Sequence, residues 1–211
     1  MAELTITTFL TLDGVMQGPG GPTEDPSGGF SLGGWLVPHF DAGTGEVITE
    51  IFSKAGAFLL GRTTYDIFSS YWPKVTDPSD PVATKLNSLP KFVASRTQKS
   101  FGWEGSSHLA DVVQDVPGLK KRFESEVQVH GSAGLAQTLI ANDLIDEYRL
   151  FIFPVILGAG KRLFGNGTIP SNLKLISSHS TSNGVAINVY RRGGSFKAGT
   201  VGMPDESGNA G

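Results

Sequence analysis

Three short segments carry groups suited to holding anions: Gly61-Arg62-Thr63-Thr64, Ser95-Arg96-Thr97 and Gly131-Ser132-Ala133-Gly134. Arginine presents planar, paired N–H donors that match a phosphate. Glycine lets an anion come close to backbone N–H groups, and hydroxyls add donors around it. Each segment also has a bland reading. Gly131–Gly134 is then only a tight strand–helix turn, and Arg62 only pairs with a surface carboxylate. Carboxylates placed to move a proton are Asp13, in an Asp-Gly turn, and Glu46 and Glu50, on one helical face. Asp13 reads equally as a turn residue bonding its own backbone. Glu46 and Glu50 read more readily as a solvated helix face than as catalytic groups.

The elements around these segments repeat one pattern, a short apolar strand, a turn and a helix. Val127–Val129 is β-branched and apolar, as a buried strand requires. The glycine turn follows it, then a helix with Leu135, Leu139 and Ile140 inward and Ser132 placed to cap its start. Tyr148–Leu157 is a strand apolar on both faces, hence central. Ala57–Leu60 precedes Gly61, and Tyr65, Phe68 and Tyr71 continue it as a short helix. Phe92–Ala94 precedes Ser95. Three strands thus end in turns rich in glycine or serine, two of them with arginine. Open α/β sheets bind ligands at such carboxyl ends.

The remaining chain frames these units. Leu4–Leu12 is the expected first strand. Gln17–Gly34 is crowded with glycine and proline and cannot be a regular element. A loop that long inside a domain reads as a lid over an active site or as a floppy insertion. Thr44–Lys54 has helical spacing, Asp80-Pro81 opens a short helix, and Pro117–Ser125 reads as another, with His108–Val113 ambiguous. Leu173–Thr181 and Val185–Arg191 flank Asn183-Gly184, a strong hairpin signal. Residues 1–192 read as one α/β domain, and Gly193–Gly211 as a disordered tail low in apolar content.

Composition narrows the function. The 211 residues suffice for one large domain with a sizeable core. A formal net charge of −3 without a long basic run argues against a nucleic-acid partner. The four histidines are scattered and cysteine is absent, which excludes disulfides, thiolate zinc sites, iron–sulfur clusters and a cysteine nucleophile; no metal site is expected. Neither a signal peptide nor a membrane-spanning apolar stretch is seen, so a cytoplasmic protein without membrane contact is expected. Gly158-Ala159-Gly160-Lys161-Arg162 lacks the spacing of a P-loop and the third glycine of a dinucleotide fingerprint. It follows a strand and can still line a substrate pocket or a dimer interface. Asn166-Gly167-Thr168 fits a glycosylation pattern of no consequence in a cytoplasmic protein.

The ordered set LDG, LLGRTTYDIF, KFVASRT, VHGSAGL, LIDEYRLFIFPVILGAGKRLF and a final Asn-Gly hairpin resembles the dihydrofolate reductase superfamily. More closely, it resembles the C-terminal reductase domain of the bacterial bifunctional riboflavin-biosynthesis deaminase-reductase, over roughly residues 4–191. The resemblance implies a dihydrofolate reductase-like α/β/α fold, with a mostly parallel central sheet and a C-terminal antiparallel hairpin. It implies NADPH as cofactor, a small-molecule substrate and often a homodimer. It places cofactor phosphates on Gly61, Arg62, Thr63 and Thr64. Ser95, Arg96 and Thr97 fall at the adenosine 2′-phosphate, and Gly131, Ser132, Ala133, Gly134 and Leu135 over the diphosphate. Asp13 matches a residue near the substrate, and Glu50 lies on the helix that carries the catalytic carboxylate in folate reductases.

The implied reaction is hydride transfer to a heterocyclic imine or carbonyl, first among them 5-amino-6-(5-phosphoribosylamino)uracil. Dihydrofolate reduction and a non-catalytic NADP-binding sensor are the rivals. One departure bears on the substrate. His130-Gly131-Ser132 stands where the riboflavin reductases usually carry glutamate before paired glycines. The zinc deaminase motifs are absent, so that half of the bifunctional enzyme is not present here.

Overall fold

A computed structural model of the chain describes residues 1–166 and 168–201. One eight-stranded sheet runs through it, in the order β4-β3-β2-β5-β1-β6-β8-β7. The strands are β1 (Leu4–Thr11), β2 (Ala55–Gly61), β3 (Lys91–Ala94), β4 (Ser106–Leu109), β5 (Glu126–His130), β6 (Glu147–Phe153), β7 (Ser171–Ser180) and β8 (Ala186–Ser195). The first six are parallel to one another, and β8 runs antiparallel between β6 and β7. This is the mostly parallel sheet with a closing hairpin that the sequence implies.

Among the described residues five α-helices cover its two faces: α1 (Ala42–Ser53), α2 (Arg62–Tyr71), α3 (Pro81–Ser88), α4 (Val112–Lys121) and α5 (Ala133–Ala141). The period of two along each strand divides the core between the faces. Ala57 and Leu59 of β2 pack with Val116, Leu119, Leu135 and Leu139 of α4 and α5. Phe58 and Leu60, one residue out of phase, pack with Phe52, Tyr65 and Leu86 of α1, α2 and α3. A further cluster joins Trp35, Leu36 and Ile51 to Phe151 and Phe153. The result is three layers, α/β/α.

Several boundaries differ from the sequence reading, each for a local reason. The helix expected from Pro117 begins at Val112, because the Asp111 carboxylate accepts from the backbone N–H groups of Val113 and Gln114 at 2.9 and 3.1 Å. Pro117 therefore sits inside α4 rather than at its start. The ambiguous stretch before it resolves into β4 and this cap. Strand β6 stops at Phe153, before Pro154, instead of reaching Leu157. Strand β8 continues through Gly193 and Gly194 to Ser195, so the first residues assigned to the tail are strand. Residues 202–211, most of that expected tail, lie outside the described residues, as does Gly167 of the Asn-Gly-Thr sequence. Among the described residues no helix is long and apolar enough to cross a membrane.

Candidate active site

The carboxyl ends of β2, β3 and β5 open into one cavity of about 1250 Å³. Gly61 to Thr64, Ser95 to Thr97 and Gly131 to Leu135 all line it. The three anion-suited turns therefore share a crevice. Two of them are physically joined. The Ser132 hydroxyl accepts from the Gly61 N–H at 3.0 Å and donates to the His130 carbonyl at 3.1 Å. A Cβ on Gly61 would lie 3.3–3.4 Å from Ser132 and Leu135, so a larger residue there would push these neighbours apart by a few tenths of an ångström. Gly131 and Ser132 both take left-handed backbone conformations, φ 55° and 61°, which turn the chain sharply into α5.

Ser132 does not cap its helix as expected, because its hydroxyl is occupied between the strands. Helix capping separates the five helices into two groups. Asp41, Asp80 and Asp111 cap α1, α3 and α4 with their carboxylates. Neither α2 nor α5, the helices that follow Gly61 and Ser132, has a side-chain cap. Their first N–H groups and the positive ends of their dipoles are left for an anion.

The two arginines differ. The Arg62 Nε donates to both oxygens of Asp66, one turn on, at 2.8 and 2.7 Å. The surface-pairing alternative thus holds for Arg62, although the residue still lines the cavity. Arg96 is exposed at the cavity wall and forms no salt bridge among the described residues. It is the guanidinium that a phosphate could take without displacing a carboxylate.

The expected catalytic carboxylates are not brought to this cavity. Asp13 accepts from the Thr11 hydroxyl at 2.6 Å, from the N–H groups of Leu157 and Gly158 at 3.2 and 2.9 Å, and from Arg162 Nη2 at 3.1 Å. These bonds, the Thr11 hydroxyl foremost, hold its carboxyl well below the usual carboxylate range. Asp13 pins the segment after β6 to the turn after β1, a role neither sequence reading named. Glu50 is exposed and pairs with Lys54 at 2.7 Å, and Glu46 is exposed on the same helix. Both belong to a solvated face, the plainer of their two readings.

His130 is buried in the cavity wall, stacked on Phe52 with 4.4 Å between ring centroids. Its Nε2 lies 3.1 Å from Gln128 Oε1. The Gln128 amide nitrogen donates to the Ile51 carbonyl at 2.6 Å and to Glu126 at 2.8 Å. The glutamine oxygen must therefore accept, and Nε2 of His130 carries the proton. Burial, with the Arg149 charge adding to it, lowers its pKa to about 3. The imidazole is neutral at pH 7 and does not serve as a cationic acid.

Burial of this imidazole makes stability depend on pH. The unfolded chain takes up a proton near the ordinary histidine value of about 6.5, and the folded one only near 3. Acid therefore favours the unfolded state. Stability should fall as pH drops from about 6.5, before most carboxylates titrate. Urea midpoints measured between pH 7.5 and 4.5 should decline for the wild type and decline less for His130→Gln. Parallel slopes would remove His130 as the cause.

The loop Gln17–Gly34 reaches the same cavity through Gln17, Gly18, Pro19, Gly20, Glu24 and Asp25. It is irregular, as its glycines and prolines dictate, with a single short turn of 3₁₀ helix at Ser27–Gly29. It is nevertheless anchored. The Gln17 amide donates to the carbonyls of Asp25 and Ser27 at 3.0 and 2.9 Å, and Trp35 Nε1 donates to the Gln17 carbonyl at 2.8 Å. Lys161 Nζ donates to Asp25 and to Ser27 Oγ, each at 2.7 Å. The Gly158–Arg162 segment, with no complete nucleotide motif, is thus the latch of this loop, and its Lys161 and Arg162 line the cavity. Phe9, Met16, Ile48, Ile51 and Phe52 supply apolar wall beside it.

Known proteins place this architecture. Over 194 residues the chain is 32% identical to the uncharacterized protein YyaP of Bacillus subtilis, covering 91% of this chain and 96% of that protein. A solved structure of a protein assigned to riboflavin biosynthesis in Shewanella sp. PV-4 superposes with a TM-score of 0.67 at 24% identity, covering 91% of this chain and 99% of the other. Dihydrofolate reductase from Enterococcus faecalis, solved as a complex with NADP(H) and RAB-propyl, superposes with a TM-score of 0.58 at 10% identity, over 90% and 96% of the two chains. At such identities the likeness is one of fold, and the fold is dihydrofolate reductase-like. Residues 2–187 match the RibD C-terminal domain, and the chain belongs to that family.

Proposed function

We propose that the chain is an NADPH-dependent reductase that delivers a hydride to a small heterocyclic imine or carbonyl. Its first candidate substrate is 5-amino-6-(5-phosphoribosylamino)uracil. The observation that carries this reading is the pair of uncapped helix N-termini, α2 and α5, set with the unpaired Arg96 around one cavity. A doubly phosphorylated dinucleotide needs a diphosphate cradle and a separate cation for its 2′-phosphate. The residues present fit both needs.

In this reading Gly131 to Leu135 and Gly61 to Thr64 bind the diphosphate through backbone N–H groups and hydroxyls. Ser95, Arg96 and Thr97 take the 2′-phosphate. When bound, the nicotinamide supplies the hydride. The chain's own residues hold the acceptor in place and keep water out. Phe9, Met16, Ile51 and Phe52 offer an apolar wall to a flat ring, and the latched loop forms a further wall. Family membership and the reductase-type fold support the same reading.

A fluorescence titration with NADPH and NADH tests it, followed by assays of NADPH consumption. NADPH should bind more tightly than NADH and be consumed with the pyrimidine ribosylamine. Consumption with dihydrofolate alone would move the protein to folate-type reduction. Tight NADPH binding with neither acceptor consumed would favour the sensor. Failure of both dinucleotides to bind at millimolar concentration would end the reductase reading.

A further inference from the structure

The carboxylates lining the cavity are Glu24, Asp25, Asp80 and Asp111. Three of them are committed elsewhere. Asp25 is paired with Lys161 and also accepts from Ser27. Asp80 caps α3 through the N–H groups of Val82 and Ala83. Asp111 caps α4. The one histidine on the wall is neutral, with its proton given to Gln128.

Glu24 is arranged differently. Its Oε2 accepts from the N–H groups of Gly20 and Gly21 at 2.5 and 3.1 Å. Among the described residues its Oε1 has no hydrogen-bond partner and the carboxyl forms no salt bridge. One oxygen is thus held by two peptide groups, which fixes the side chain, and the other is free. The two glycines let the loop fold back onto the carboxylate. This is the geometry of an oriented acid rather than of a structural ion pair.

We propose that Glu24, carried on the Gln17–Gly34 loop, is the proton donor to the acceptor in this cavity. The inference rests on the reductase reading and names a residue of that same site. A reduced nicotinamide dinucleotide gives a hydride to the carbon of an acceptor C=N bond. The π pair of that bond moves to nitrogen. The Glu24 carboxyl O–H breaks, an N–H bond forms, and the carboxylate left behind regains a proton from solvent at the half-exposed loop. The products are the amine and the oxidised dinucleotide.

The environment suits this role. Burial, with the neighbouring Asp25 charge adding to it, raises the Glu24 pKa above the usual glutamate value, against the two backbone hydrogen bonds that lower it. A carboxyl that keeps its proton nearer neutrality is the better acid there. The loop that closes over the acceptor would also bring the acid, so proton transfer would depend on the Lys161 latch.

Two measurements test the proposal. The first follows the carboxyl carbon of Glu24 by NMR through a pH titration of the NADPH-bound protein, with Glu24→Gln for assignment. Glu24 should titrate above the usual glutamate value. Titration at or below it overturns the proposal, whether or not an acceptor is known. The second measures NADPH binding and single-turnover NADPH oxidation with the pyrimidine ribosylamine and with dihydrofolate. Glu24→Gln should keep wild-type NADPH affinity within about twofold and slow oxidation about a hundredfold or more. It should also lose the alkaline fall in rate, and Glu24→Asp should recover part of the loss. An unchanged rate and pH profile in Glu24→Gln refutes the acid role while leaving the reductase reading intact. Loss of NADPH binding by the wild type refutes the reductase reading itself.

Discussion

Replacing Arg96 by alanine should weaken NADPH binding about tenfold to a hundredfold and leave NADH binding unchanged. The reason lies in what each state of the protein has to give up. Arg96 stands exposed on the cavity wall with no salt-bridge partner among the described residues. A 2′-phosphate would gain its charge-assisted bonds without breaking an existing pair. Bonds of that kind contribute about 1.5–3 kcal/mol, which sets the expected range. NADH lacks the phosphate, so the substitution removes nothing it uses. Arg62→Ala should change the binding of both dinucleotides alike and by less, because Arg62 lies at the diphosphate they share and its guanidinium is already paired with Asp66 at 2.7 Å. Raising salt should shrink the NADPH advantage of the wild type, since the contact is exposed. Fluorescence titrations of wild type and both variants, at low and high ionic strength, measure all of this. Equal NADPH affinities in wild type and Arg96→Ala would remove Arg96 from the 2′-phosphate site.

The sequence carried the strand-end turns of the cavity and little of the side opposite them, for a physical reason. Strand-ending turns announce themselves locally, because glycine, arginine and hydroxyls must sit beside a short apolar run. Local pattern alone therefore places Gly61, Ser95 and Gly131 at sheet ends. The face of the loop has no such local signature. Glu24 is fixed by bonds to Gly20 and Gly21 inside a segment with no periodicity. Lys161 finds Asp25 across 136 positions of chain. Asp13 stands out for its Asp-Gly turn, yet its partners are Leu157, Gly158 and Arg162, which no spacing rule could supply. Lys91 shows the same limit. The sequence starts β3 at Phe92, as a lysine does not belong in a core. In the fold the ammonium is buried, donates to the carbonyls of Leu86 and Leu89 at 2.7 and 2.9 Å, and lies 4.5 Å from the Trp103 ring.

The largest such hidden feature lies beneath the cavity wall, and it yields the largest expected loss of stability. On the α1 side of the sheet, Glu126 and Gln128 of β5 sit below His130 at the strand's period of two, and Glu147 and Arg149 do the same on β6. Arg149, only 5% exposed, donates to both oxygens of Glu126 at 2.8 and 2.7 Å and to Glu147 at 2.7 Å. Gln128 ties the cluster to Ile51 near the end of α1 and to His130. Arg149→Met keeps much of the side-chain length but leaves the largely buried Glu126 carboxylate without its guanidinium, while Glu147 keeps Arg191 at 3.0 Å. Breaking a buried pair in this way costs about 3–5 kcal/mol. For a domain of this size that is roughly 6–20 °C in Tm, readable by calorimetry.

The pH dependence separates this cause from simple loss of packing. In the wild type, burial raises the Glu126 pKa but the hydrogen bonds and charge of Arg149 outweigh it, and the group ends below its ordinary value. Wild-type stability from Glu126 is therefore present at neutral pH and lost as pH falls through the folded pKa. Without Arg149 only the Gln128 hydrogen bond and the Lys54 charge oppose burial, and the Glu126 pKa rises. The variant should therefore lose less stability in acid through Glu126 than the wild type does. The gap between the two proteins should thus narrow steadily from pH 7 to 4.5. Adding Glu126→Leu and Glu147→Leu to Arg149→Met should restore much of the lost stability, as apolar replacement of a whole buried network often does. A gap independent of pH, or a loss under about 1 kcal/mol of the kind exposed pairs give, would mean that water reaches the cluster and that it does not hold the cavity wall.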